Sequence, residues 1–130
     1  GFGGLSQADQ EKVAIGNILM LFSASLIREC RQAQIPCSLE NPARSRLWIC
    51  SAMRRLSRTR GVSVTTTDFC QWGVPWKKST NFLSSDLDLI ELANARCVGS
   101  KRGVSSRTGR GHQQLQGRDI SGNFFTKLAE

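Results

Sequence analysis

A chain of 130 residues is long enough for one hydrophobic core and short of what two full domains need. Its 39% hydrophobic residues gather in segments, which excludes a wholly disordered chain. Eighteen Lys and Arg against ten Asp and Glu leave a net charge of +8, an excess that draws a protein toward polyanions such as nucleic acid or acidic membrane surfaces.

Ser6, with Asp9 three residues on, is a helix start: the hydroxyl accepts an orphan backbone N–H and the carboxylate suits the helix dipole. Behind it Val13, Ile15, Ile18, Leu19, Phe22, Leu26, Ile27 and Cys30 recur at helical spacing, which predicts a long amphipathic helix from Gln7 to Ala33. Ser23 and Ser25 interrupt its apolar run, so no membrane span is expected. Ile35 to Leu39 reads as a buried strand ending at Glu40, with Pro36 among its first residues and Asn41-Pro42 turning the chain.

Leu47, Trp48, Met53 and Leu56 predict a second helix with Arg54, Arg55, Arg58 and Arg60 toward its C-terminal end and Gly61 as its stop. Val62, Val64 and Thr65 to Thr67, all β-branched, predict a second strand leading into Asp68 and Phe69. A turn-rich passage, Gln71 to Trp76, precedes a third strand at Thr80 to Leu83, and Asp86 opens a third, shorter helix. From Val98 to Arg118 the composition turns to Gly, Ser, Arg and Gln without periodicity, as in a loop or flexible arm.

The alternation of helix and strand predicts an α/β fold: a partial open sheet, partly parallel, with helices packed on it. The expected organisation is an α/β core over residues 1–97, a basic Gly, Ser and Arg-rich loop over 98–118, and the start of a further element at 119–130.

Five cysteines, Cys30, Cys37, Cys50, Cys70 and Cys97, fall on or beside apolar segments in an odd number, unlike a secreted disulfide framework, so an intracellular, reducing setting is expected. With no Cys-x-x-Cys pair, and with His112 alone in a Gly and Arg-rich stretch, the thiols read as buried or idle and no metal site is expected.

Three places carry chemistry. Glu40, beside Asn41, is placed where ligands of open α/β sheets bind; its carboxylate can serve a base edge or an acid, or can equally cap the next turn or pair with Arg44 or Arg46. Gly73-Val74-Pro75 followed by Trp76, Lys77 and Lys78 sets cations beside a tight turn, suited to phosphate contact or simply to a core anchor and a solvated face. Arg102, Arg107 and Arg110, in a glycine-containing loop with Lys101, can track a phosphate backbone. Asn41, Arg44, Arg46, Lys77, Lys78, Arg102, Arg107 and Arg110 are the expected nucleic-acid contacts.

Leu39-Glu40-Asn41, then Asp68 to Pro75, then Trp76 to Phe82 fall in an order that resembles the second half of the catalytic domain of DNA methyltransferases acting on carbon 5 of cytosine. The resemblance implies a Rossmann-like half sheet, a role for Glu40 at the ring nitrogen of a flipped cytosine beside Asn41, and for Lys78 the position of the first of the family's two spaced arginines. Pro42, Trp76 and Thr80 stand where that family has Val, Gln and a second Arg. It also implies DNA as partner, a nuclear setting, and S-adenosylmethionine and a Pro-Cys nucleophile supplied by sequence before Gly1, so that these residues alone bind no cofactor and do not catalyse. The alternative is a non-enzymatic basic module for nucleic acid or a ribonucleoprotein, without a membrane role.

Overall fold

The computed structural model describes residues 4–114, and the expected element at 119–130 lies outside them. Within that range the chain is mixed α/β. Helix α1 spans Gln7–Gln32, strand β1 Ser38–Pro42, a 3-10 turn Arg46–Ile49, helix α2 Ser51–Leu56, strand β2 Ser63–Asp68, a second 3-10 turn Phe69–Trp72, strand β3 Ser79–Ser84 and helix α3 Leu87–Leu92. The described residues gather into two compact units, one of residues 4–66 with 80–94, the other of 67–79 with 95–114.

Helix α1 begins as its sequence requires. Ser6 Oγ accepts from the Asp9 N–H at 3.2 Å and donates to the Asp9 carboxylate at 2.7 Å. Because the cap satisfies one of the helix's orphan donors, Ser6→Ala is expected to destabilise the chain by about 1 kcal/mol, read from urea unfolding followed by circular dichroism.

The face that α1 buries is narrower than its apolar stripe. Ala24 and Ile27 are buried, whereas Ile15, Ile18, Leu19 and Phe22 are more than half exposed. By length and composition alone α1 is apolar enough to cross a bilayer, contrary to the expectation from its serines. Serine is only weakly hydrophilic, so Ser23 and Ser25 leave the mean hydropathy of the helix high; the Ser23 hydroxyl donates to the Leu19 carbonyl of its own helix at 2.9 Å.

The expected second helix is broken in two at Cys50, whose extended backbone (φ −64°, ψ 141°) separates the 3-10 turn from α2. α2 packs on α1. Together with β1 and β3 they enclose the core of the first unit: Ala24, Ile27, Met53, Leu56, Val62 and Leu83, flanked by Met20, Leu39, Leu47 and Trp48.

The sheet is three-stranded with order β1-β3-β2. β1 and β3 are antiparallel, with Leu39 opposite Leu83 and Glu40 opposite Phe82, which corrects the expected partly parallel arrangement for this pair. The connection from β2 to β3, residues 69–78, is shorter than the dozen or so residues that a parallel crossover needs.

β1 also lies further along the chain than expected, at Ser38–Pro42, so that Glu40 stands at its middle and not at its carboxyl end. Pro36 brings no N–H, and the Cys37 N–H goes to Ser85 Oγ at 3.2 Å. Pro42 is tolerated opposite Thr80 because β1 is an edge strand. Its carbonyl is satisfied by Trp48 Nε1 at 2.9 Å and by the Ser45 N–H at 2.8 Å.

Candidate metal centre and basic loop

The second unit is organised around one buried carboxylate. Asp68, at the end of β2, is fully buried and accepts from Ser79 Oγ, from the Cys97 N–H at 2.8 Å and from Arg96 Nε at 3.2 Å, with Lys77 Nζ at 3.8 Å. Burial pushes its pKa up, but the Ser79 hydroxyl, the Cys97 N–H, Lys77 and Arg96 outweigh burial and hold it below the ordinary 3.8. Thr67, also buried, completes the frame by donating to the Ala95 carbonyl at 3.2 Å and accepting from Trp72 Nε1 at 2.7 Å.

Directly after Asp68 the chain makes the 3-10 turn Phe69–Trp72 and leaves it through Gly73 at φ +88°, a left-handed backbone that favours glycine. The turn buries Cys70. The Asp68 contact to its N–H in turn fixes Cys97, which is 5% exposed.

Residues 98–114 form a loop, as their composition suggests, and the loop is pinned. Val104 and Gly111 form an antiparallel bridge; the Ser105 N–H reaches the Arg110 carbonyl at 2.8 Å and the His112 N–H reaches the Gly103 carbonyl at 2.8 Å. Gly99 has to be glycine here, since a Cβ would fall on the Val104 carbonyl. This folding carries His112 inward, to 8% exposure.

Cys70, Cys97 and His112 consequently come together, their Sγ and ring-nitrogen atoms all within 4.8 Å of one another. His112 Nδ1 lies 2.8 Å from the Ser100 carbonyl, which can only accept, so Nδ1 carries the proton and the lone pair of the neutral ring is on Nε2. Nε2 faces Cys97 Sγ at 3.7 Å. Around Cys97, burial raises the thiol pKa, but the Ser106 hydroxyl and N–H, the Gly99 N–H and the Cys70 thiol outweigh it and bring the group to about 6. Cys70 is pushed the other way, upward, chiefly by burial. Sequence spacing gave no sign of this cluster, because its three members come from a 3-10 turn, an irregular segment and a loop.

The expected contact residues are distributed as follows. Lys77 is turned inward, 16% exposed, donating to the Cys97 and Gly99 carbonyls at 2.7 Å each. Lys78 is half-buried with its ammonium 4.8 Å over the Phe69 ring. Lys101, Arg102, Arg107 and Arg110 are exposed on the pinned loop, Arg107 with one guanidinium N–H on the Gln71 carbonyl. In the first unit Arg44 and Arg46 are exposed, while Glu40 and Asn41 are half-buried on β1. Asn41 stands opposite Asn81, whose side-chain oxygen accepts from Thr66 at 2.8 Å. No protein family, curated protein or solved structure matches the chain.

Proposed function

We propose that the chain is a nucleic-acid-binding module, not an enzyme by itself, whose contact surface is the basic loop of the second unit. The observation that carries this reading is the exposure of Lys101, Arg102, Arg107 and Arg110 on a loop whose backbone is fixed by the Val104–Gly111 bridge. Cations on a fixed backbone lose less freedom when they meet phosphates than cations on a floppy arm. A guanidinium also offers five donors in a planar fork suited to phosphate oxygens. Lys77 takes no part, since its ammonium is committed to backbone carbonyls and Asp68.

Fluorescence anisotropy with duplex DNA and with RNA of the same sequence, across a salt series, tests this. If about four phosphates are neutralised, log K is expected to fall with log salt at a slope of about −3 to −4. Replacing Arg107 and Arg110 together by Ala is expected to flatten that slope by up to about two units for all sequences alike. Binding that ignores salt, or no binding at low salt, refutes the reading.

The relation to cytosine-5 methyltransferases is a second reading, supported by the order of motifs: Glu40-Asn41 on one strand, then the Gly73 turn, then β3. Under it the sheet is part of a Rossmann-like catalytic half, DNA is the partner, and S-adenosylmethionine binds to sequence other than these residues. The mid-strand place of Glu40 is where the chain departs from it. Calorimetric titration with S-adenosylmethionine is expected to show no binding to this chain.

A further inference from the structure

We infer that Cys70, Cys97 and His112 are three ligands of a divalent ion of the zinc class, which ties the basic loop to the turn at residues 69–73. The distances agree with that use. Zinc bonds of about 2.3 Å to sulfur and 2.0–2.1 Å to nitrogen, set at the tetrahedral angle, place sulfur and nitrogen about 3.6 Å apart. Cys97 Sγ and His112 Nε2 are 3.7 Å apart, and the third ligand atom lies within 4.8 Å of both. Two thiolates and an imidazole are a borderline-soft set, which selects zinc-class ions over magnesium or calcium.

Each member also has the outer partner that metal ligands require. The Nδ1–H of His112 is held by the Ser100 carbonyl, which presents Nε2 as the ligand. The Cys97 sulfur receives the Ser106 N–H at 3.4 Å. The Cys70 sulfur receives a side-chain N–H of Gln71, Nε2 at 3.7 Å. A Cys97–His112 nucleophilic pair is the other chemistry these groups offer, but a reacting pair must meet a substrate. At 5% and 8% exposure these two do not. Burial suits a structural ion, whose binding energy becomes folding energy.

The test is titration of the reduced 130-residue chain with Co2+, then with Zn2+. The expected result is one Co2+ per chain with thiolate-to-cobalt absorption in the near ultraviolet and tetrahedral bands in the visible, both abolished by Zn2+. Zn2+ at about 100-fold excess over its Kd is expected to raise the melting temperature by roughly 10 °C, reversed by chelator. Because Cys30, Cys37 and Cys50 are also free, a variant with all three changed to Ser is expected to keep the spectrum. His112→Ala is expected to weaken binding by at least about tenfold, the loss seen when only outer partners are removed. His112→Cys, which restores a ligand, is expected to recover it, so that a folding defect in the alanine variant is not mistaken for ligand loss. Absence of thiolate-to-cobalt absorption in the reduced chain would overturn the inference, as would its disappearance in the Cys30, Cys37, Cys50 variant or its full retention in Cys97→Ser.

Discussion

Asp68→Ala is expected to destabilise the chain by about 3 to 5 kcal/mol, the range for breaking a buried ion pair by removing one partner. The carboxylate is fully buried, out of contact with bulk solvent. Its removal leaves the Cys97 N–H without its acceptor, strands the inward-facing Lys77 ammonium, and frees Arg96. Arg96 is half exposed and recovers hydration, which moves the expected loss toward the lower end of the range. Lys77 stays bonded to the Cys97 and Gly99 carbonyls, but as a charge without a counter-ion. Urea unfolding of the two proteins at neutral pH measures the difference, and a loss under 1 kcal/mol would show that the carboxylate does not organise this unit.

The same residue sets an acid limit. Its pKa is lowered in the folded chain from an ordinary 3.8, so the folded state binds its proton less readily than the unfolded one. The stability this lends is fully present above pH 3.8 and is lost as pH falls through the folded value. Asp68→Asn is therefore expected to be less stable than the parent at pH 7, with the gap narrowing in that acid window. A gap independent of pH would mean that shape, not charge, is what Asp68 supplies.

Much of the fold can be read from local pattern. Ser6 and Asp86 each mark a helix start by the chemistry of an N-cap, and both cap as read, Asp86 taking the Asp88 and Leu89 N–H groups at 3.0 and 3.1 Å. The β-branched run after Gly61 is β2. What local pattern misplaces is decided by pairing. β1 lies further along than its apolar residues suggest, because its register is set by β3, with Leu39 opposite the fully buried Leu83. That register puts Glu40 at mid-strand.

The site was less legible than the fold. Lys77 and Lys78 look alike in sequence, yet one is bonded to two carbonyls and the other lies over an aromatic ring. His112, alone in a polar stretch, is brought beside two cysteines only by the closure of the loop through Val104 and Gly111. Such long-range closure has no periodic trace, so neither spacing nor composition announces it.

The apolar stripe of α1 leads to the remaining large effect. Reading the stripe alone, Phe22 belongs to the core as much as any residue of β3 does. In the structure Leu83 has no exposed surface, while Phe22 is 63% exposed. Leu83→Ala is expected to cost about 2 to 5 kcal/mol, since Ala24, Ile27, Met53, Leu56 and Val62 surround the space it vacates and can collapse only in part. Phe22→Ala is expected to change stability by no more than about 0.5 kcal/mol, the usual range for exposed positions. Both are read from urea midpoints of the full chain at equal slope. The pair separates two accounts of α1. If Leu83→Ala is severe and Phe22→Ala nearly neutral, the helix is held by its Ala24 and Ile27 face alone. If both are severe, the outer face of α1 is covered in solution by something beyond the described residues, and the burial of its apolar stripe, expected from the sequence, is achieved by that partner.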